Sequence, residues 1–455
     1  MKINIGIPNR FFKERQYAFE LLLGYFKNVK VQFTETADAG HYTLSFENGE
    51  SLLITDSFYR SEPIPRHFPG SIPSKSQVQF AGVSIDNSQY EYVHLYGEKA
   101  QIDFEYNTYT IHSDIVASSF FMASGYEEYH SHAEDKHGRF PDEESLPVRA
   151  GFYQRPVINE YIELIRKLIS KLTCTPLQYN KKYTAYITHD VDEIFRLKPL
   201  SKALKRMGGD LLKRRSLPEF LRTVKQTFET LIDSHRDPAY VFNYFMDVSE
   251  KYHLKSHFYF ICGKPGEVDY QYDIDSKPVV NTIKNMQSRG HHIGFHASYD
   301  TPGKFNQFHK ELNRLKKACG SDQNLMEGRQ HFLRLKIPSV WQHWEAAGMK
   351  VDSSMGYHNY CGFRRGICYE YPVFDLGKRE KLTLKERPLI FMEVALKREH
   401  PDPEKFKKAY IQLVNTVKKY EGDFVFLWHN SNINHPYWRN HAPLYEELVE
   451  ATTST

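Results

Sequence analysis

At 455 residues the chain exceeds the size at which a single hydrophobic core stops growing, so two domains are expected. A composition of 40% hydrophobic and 25% charged residues excludes disordered, fibrous and membrane-embedded classes, and a net charge of +4 is too small to imply a nucleic-acid partner. The five cysteines form no CxxC pair, which excludes a disulfide framework and argues against cysteine-bound zinc.

The first residues, MKINIGIPNRFFKERQ, hold no apolar core of signal-peptide length. No window approaches the run of about 18 apolar residues that spans a membrane, so a cytoplasmic location is expected. Up to about Leu172, short strands (INIGI, VKVQFTE, HYTLSFE, SLLITD) mix with helices (YAFELLLGYF, DIVASSFFMASGYEEYHSH, VINEYIELIRKLISKL). This predicts an α/β domain over residues 1–175 with no chemistry assigned to it, ending near TCTPLQYNKK.

A second domain is expected over residues 180–455. It opens on the strand YTAYIT, followed by a long helical region from Lys198 to Tyr252. Strands SHFYFI, HHIGFH and DFVFLWH then alternate with helices, the signature of a parallel sheet, open or closed into a barrel. Within the helical region, KALKRMGGDLLKRR (Lys202 to Arg215) is a basic stretch broken by a Gly pair; it reads as a solvated helix face, with an anionic glycan or membrane surface as the alternative. The 31 Tyr and 31 Phe fit either an aromatic core or sugar-stacking surfaces.

Four short stretches end strands, or the loops after them, with residues fit for metal binding or proton transfer: THDVD, GHHIGFHASYD, GRQHFLR and FLWHN. Side chains at i and i+2 of a strand share a face, so Asp190 and Asp192 point into one site while His189 points away.

In this order, from about Tyr183 to the end of the chain, these motifs resemble the polysaccharide deacetylase family, the NodB-homology carbohydrate esterases. The resemblance implies a distorted (β/α) barrel of that type preceded by a smaller N-terminal α/β domain. It implies Asp190 as catalytic base and Asp192 as metal ligand. In the second motif His296 matches the first histidine ligand, and Asp300 stands where the second belongs, four residues on. Asp300 and His292 are both candidates for the third ligand, Asp300 being favoured because spacing of i and i+4 suits a turn or first helical turn.

In RQHF, Arg329 would orient the base and Phe332 would wall the groove. In VFLWH, Leu427 would line an acetyl pocket beside Trp428, and His429 would be the general acid. Asp352 and Glu393 compete as the carboxylate that tunes His429.

The activity so implied is metal-dependent hydrolysis of an N-acetyl or O-acetyl group on a carbohydrate. Zn²⁺ is the expected ion, with Co²⁺, Mn²⁺ or Mg²⁺ as alternatives; a second carboxylate ligand would favour the harder Mn²⁺ or Mg²⁺. Two other readings stay open: an amide hydrolase for a small cyclic amide or imide, and a glycan-binding protein without catalysis.

Overall fold

The computed structural model describes all of the chain except residues 38–39, 61–71, 86–87, 265–268, 270, 321–324 and 454–455. It divides into two compact units, neither of them a single stretch of chain. The first comprises Met1–Thr184, Leu333–Ile390 and Asn415–Phe424; the second comprises Ala185–Phe332, Phe391–Val414 and Val425–Thr455. The chain first crosses between units at Thr184–Ala185, and the later crossings leave no local mark in composition, because long-range packing defines them.

In the first unit, eight strands come from the first 113 residues: β1 (Lys2–Pro8), β2 (Lys30–Thr36), β3 (His41–Ser45), β4 (Ser51–Thr55), β5 (Gln79–Ile85), β6 (Ser88–His94), β7 (Gly97–Glu105) and β8 (Thr108–Ser113). Six of them form a mixed sheet in the order β2-β1-β3-β4-β8-β7, and β5 and β6 form an antiparallel pair. Strict alternation in β3 and β4 buries Tyr42, Leu44, Leu52 and Ile54 on one face. The helix Val157–Thr173 carries Ile158, Ile162, Ile165 and Ile169 as a buried stripe at helical spacing.

The helix Ile115–Ser124 starts where the Asp114 carboxylate accepts the Ala117 amide at 2.9 Å. The four strands at residues 79–113, of which β5, β6 and β7 lack a clean apolar alternation, are additions to the sequence reading, as are three later strands of this unit named below.

The second unit contains β9 (Thr184–Val191), β10 (Ser256–Ile261), β11 (His292–Ala297) and β12 (Glu327–Gln330). The first unit then takes β13 (Val351–Asp352), β14 (Tyr371–Asp375) and β15 (Glu380–Glu386), and the second is completed by β16 (Phe391–Met392) and β17 (Asp423–Leu427). The second unit's strands lie in the order β12-β11-β10-β9-β17-β16, a mixed α/β unit whose sheet curls as half a barrel.

Pairings β9/β10, β10/β11, β11/β12 and β16/β17 are parallel, so their C-terminal ends share one rim. All six residues of β10 are buried, as expected of a strand covered on both faces. Gly328 permits β12 to approach β11: a Cβ there would meet the Phe295 carbonyl oxygen at 2.0 Å.

The long helical region is three helices, Leu200–Leu212, Leu217–Ile232 and Phe242–Lys251. Gly208 and Gly209 do not break the first of these, which runs through them. Glycine in a helix interior costs roughly 1 kcal/mol but forbids nothing. The interruption comes at Ser216, whose hydroxyl caps the next helix at the Glu219 amide, 3.3 Å away. No helix of the described residues is long and apolar enough to cross a membrane.

Candidate metal and proton-transfer site

The rim formed by the ends of β9, β11, β12 and β17 gathers the chemistry-bearing side chains of the second unit. Asp190 and Asp192 leave β9 on the same side, and both face His296 from β11: His296 Nε2 lies 3.6 Å from Asp190 Oδ2 and 3.7 Å from Asp192 Oδ1. His189, between the strand's Thr188 and Asp190, turns into the core. It stacks on Phe245 at 3.9 Å and bonds the Trp428 carbonyl at 2.8 Å, and burial pushes its pKa down to about 3.

His331, directly after β12, supplies the third member of the group. Its Nε2 lies 3.7 Å from Asp192 Oδ1, and donor atoms of Asp192, His296 and His331 all fall within 4.8 Å of one another. Among the described residues this is the group of His, Cys, Asp and Glu side chains able to hold a metal ion.

Two observations support a cation there. Asp192 Oδ1 and His296 Nε2 are buried without a hydrogen-bond partner, a costly state that a cation would relieve. Each imidazole is also oriented from behind. His296 Nδ1 donates to the Arg329 carbonyl at 2.9 Å, which leaves Nε2 as a lone pair aimed at the carboxylates. His331 Nδ1 faces Asp269 Oδ2 at 2.9 Å. Burial works to lower the His331 pKa, but Asp269, with Asp192 and Asp190, carries it above its ordinary value.

Asp190 is held differently from Asp192. Arg329, fully buried, donates from Nη1 to Asp190 Oδ1 at 2.7 Å and to the Thr188 hydroxyl at 3.1 Å, and its guanidinium lies 5.1 Å from the Tyr259 ring centre. Burial alone would raise the Asp190 pKa; Arg329, His296 and His429 overcome that and bring it to about 2.

Opposite stands His429, just beyond β17, with Nε2 4.0 Å from Asp192 Oδ2. Its Nδ1 meets Glu393 Oε1 at 2.7 Å, and the same oxygen accepts the His429 amide at 3.0 Å and the Asn432 side chain at 2.7 Å. Glu393 opens the helix Glu393–Glu399 and is wholly buried. Burial would lower the His429 pKa, but Glu393, then Asp192 and Asp190, push it up to about 10.

Other residues singled out in the sequence lie elsewhere. Asp300 is no member of the group; its carboxylate is 37% exposed and pairs with Lys304 at 3.9 Å. Spacing of i and i+4 would bring residues 296 and 300 to face one another on a regular helical turn. Instead, a turn from Ser298 to Thr301 is fixed by Gln330, which bonds Ala297, Ser298 and Thr301, and by Glu311 on Ser298, and it aims Asp300 outward.

His292 is exposed at the start of β11 and stacks on His257 at 4.3 Å. Asp352 belongs to the first unit, where it bonds the Ser354 amide at 3.0 Å; Glu393 is the carboxylate on His429.

Leu427 and Trp428 are fully buried, Trp428 packing near Trp438, Phe426 and Tyr445, so neither presents surface to a ligand. Phe332 is 43% exposed beside His331 and Tyr299, with ring centroids 4.5 and 5.4 Å away, and its backbone is left-handed at φ 57°. His331 and Asp269 were not singled out in the sequence. The signal for His331 was present, since it stands two residues after Arg329 and so shares its side of the strand.

A family model described as a family of unknown function (DUF7033) matches residues 3–174. No curated protein matches the chain. Among solved structures, one named as a polysaccharide deacetylase from Mycobacterium smegmatis is similar at 14% identity and a TM-score of 0.36, over 60% of this chain and 85% of that one. A mutant of the peptidoglycan deacetylase PdaC from Bacillus subtilis is similar at 14% identity and a TM-score of 0.26, over 60% of this chain and 84% of that one.

Proposed function

We propose that the chain is a metal-dependent hydrolase that removes an acetyl group from a carbohydrate. The observation that carries this reading is the geometry beside the Asp192, His296 and His331 group: Asp190, bound by Arg329 and held ionised, and His429, bound to Glu393 and held protonated. Environments that push two titratable groups apart mark an acid and a base.

Asp192, His296 and His331 would hold the ion, and one carboxylate with two imidazoles suits Zn²⁺ best, ahead of Co²⁺, Mn²⁺ or Mg²⁺. When bound, such a cation supplies a Lewis acid that polarises a carbonyl and acidifies water. Asp190, ionised at every physiological pH, accepts the proton of the attacking water. Arg329 keeps that carboxylate in place and makes it a weak base, so its contribution comes from position.

As the acetyl C–N bond breaks, His429 gives its Nε2 proton to the departing nitrogen, and Glu393 stabilises the imidazolium until that moment. The products are acetate and the free amine. The exposed ring of Phe332 beside His331 supports a sugar as substrate, since aromatic faces stack on pyranose rings.

The test is acetate release from N-acetylated glucosamine oligomers by zinc-loaded protein. Asp190→Asn, nearly isosteric, lowers kcat by about 10² or more and leaves the metal content unchanged. Wild-type protein that holds stoichiometric zinc yet releases no acetate from N- or O-acetylated sugars would refute the deacetylase reading.

A further inference from the structure

The helical hairpin of Leu200–Leu212 and Leu217–Ile232 is built the wrong way round for a solvated surface element. Of sixteen exposed large hydrophobic side chains among the described residues, ten lie on it. The residues it buries are small or polar: Ala203 and Asp210 on the first helix, Thr223, Thr227 and Thr230 on the second. Asp210 accepts from the Thr223 hydroxyl at 2.6 Å and pairs with Arg214, and the Thr227 hydroxyl donates to the Thr223 carbonyl at 2.7 Å, so these polar groups are satisfied within the hairpin.

The apolar residues sit at helical spacing. On the second helix Leu217, Leu221, Val224, Phe228 and Leu231 follow i, i+4, i+7, i+11 and i+14, with exposures of 39–67%. On the first, Leu200, Leu204 and Leu211 follow i, i+4 and i+11, with exposures of 43–59%. At 1.5 Å per residue these stripes run about 16 Å on the first helix and about 21 Å on the second. Apolar stripes of that length left exposed mark a contact surface.

Charge selects the occupant. Between Leu200 and Ile232 eight Lys and Arg stand against three Asp and Glu, a surplus of +5 in a chain whose total is +4. The turn joining the helices is Lys213-Arg214-Arg215, and Arg222 and Lys225 flank the apolar stripe of the second helix. Apolar stripes bordered by cations, on helices too short and too charged to span a bilayer, fit the interface of a bilayer with anionic headgroups. A second copy of the chain would bring the same cations together. We infer that this hairpin seats the protein on an anionic lipid surface, Leu and Phe entering the acyl boundary and Lys and Arg meeting the headgroups. The inference stands apart from the reaction proposed above.

The experiment is co-sedimentation of the full chain with phosphatidylcholine vesicles made with and without phosphatidylglycerol, at low and high salt. Wild-type protein sediments with the phosphatidylglycerol vesicles and stays in solution with pure phosphatidylcholine. Leu221→Glu/Phe228→Glu lowers partitioning at least about ten-fold, with zinc content and circular dichroism unchanged. Lys213→Gln/Arg215→Gln/Arg222→Gln, all at exposed positions, lowers it at least about ten-fold and removes the salt dependence. Failure of wild-type protein to sediment with anionic vesicles overturns the inference, as does wild-type binding by the charge variant. Light scattering that shows a dimer converted to monomer by Leu221→Glu/Phe228→Glu also overturns it, assigning the face to a second copy.

Discussion

His331 and Asp269 face one another at 2.9 Å, Nδ1 to carboxylate, with the opposite edge of the imidazole 3.7 Å from Asp192. A carboxylate behind an imidazole in this way fixes its tautomer and strengthens it as a donor. The third position of the candidate metal set is therefore a prepared one, supplied from the end of β12.

Metal titration separates the ligand sets. By calorimetry with Zn²⁺, His331→Ala should abolish tight binding and Asp269→Asn should weaken it about 10- to 100-fold. Asp300→Ala should bind as the wild type does. Loss of zinc from the Asp300 variant alone would return the third position to the β11 loop.

The pH dependence rests on His429. Its pKa is raised from 6.5 to about 10, so the protonated, acid-competent form persists through neutral pH and is lost as pH climbs through about 10. The sign for stability is the same: the His429–Glu393 pair contributes fully below pH 6.5, and that contribution drains away between 6.5 and about 10. Glu393→Gln should move the alkaline limb of kcat down by about 1–3 pH units. A limb that stays in place would remove His429 from the acid role.

Gly328→Ala tests how the site is assembled. A methyl group 2.0 Å from the Phe295 carbonyl oxygen forces β12 away from β11 and takes Arg329 and His331 with it. Thermal denaturation should show a loss on the order of 1–3 kcal/mol or more, with weakened zinc affinity in the same protein. Wild-type stability would mean the two strands have slack that their register does not suggest.

Phe332 combines an exposed ring with a left-handed backbone at φ 57°, a conformation that costs a non-glycine residue on the order of 1 kcal/mol or more. Phe332→Gly should therefore leave Tm unchanged or raise it while KM for a sugar oligomer rises and zinc affinity holds. A fall in Tm with unaltered KM would make the ring a packing element.

What could be read from the sequence follows the reach of local rules. Period two in β9 places Asp190 and Asp192 on one side and His189 on the other, and the structure has both carboxylates within 4 Å of His296. The same period, carried one residue past the end of β12, puts His331 on the side of Arg329, a signal that the motif RQHF with its terminal Phe332 does not carry. Asp269 and the outward turn of Asp300 depend on partners far along the chain, such as Gln330 and Glu311, and nothing local announces them. The strands at residues 79–113 and 371–386 were missed for a similar reason: β6 and β7 have irregular burial, and β14 and β15 belong to a unit most of which lies far earlier in the chain.

The interleaving of the two units sets an order of events during synthesis. Asp190, Asp192, His296 and His331 belong to the stretch Ala185–Phe332, Glu393 to a later stretch and His429 to the last. At ribosomal speeds of about 5–20 residues per second, His429 emerges roughly 12–48 s after Asp190. Within that interval a nascent chain gathers the carboxylates and imidazoles before their acid, and the first unit is completed only as residues 333–390 and then 415–424 emerge. Neither unit can be cut out as one continuous fragment, and a chain stopped before residue 424 completes neither.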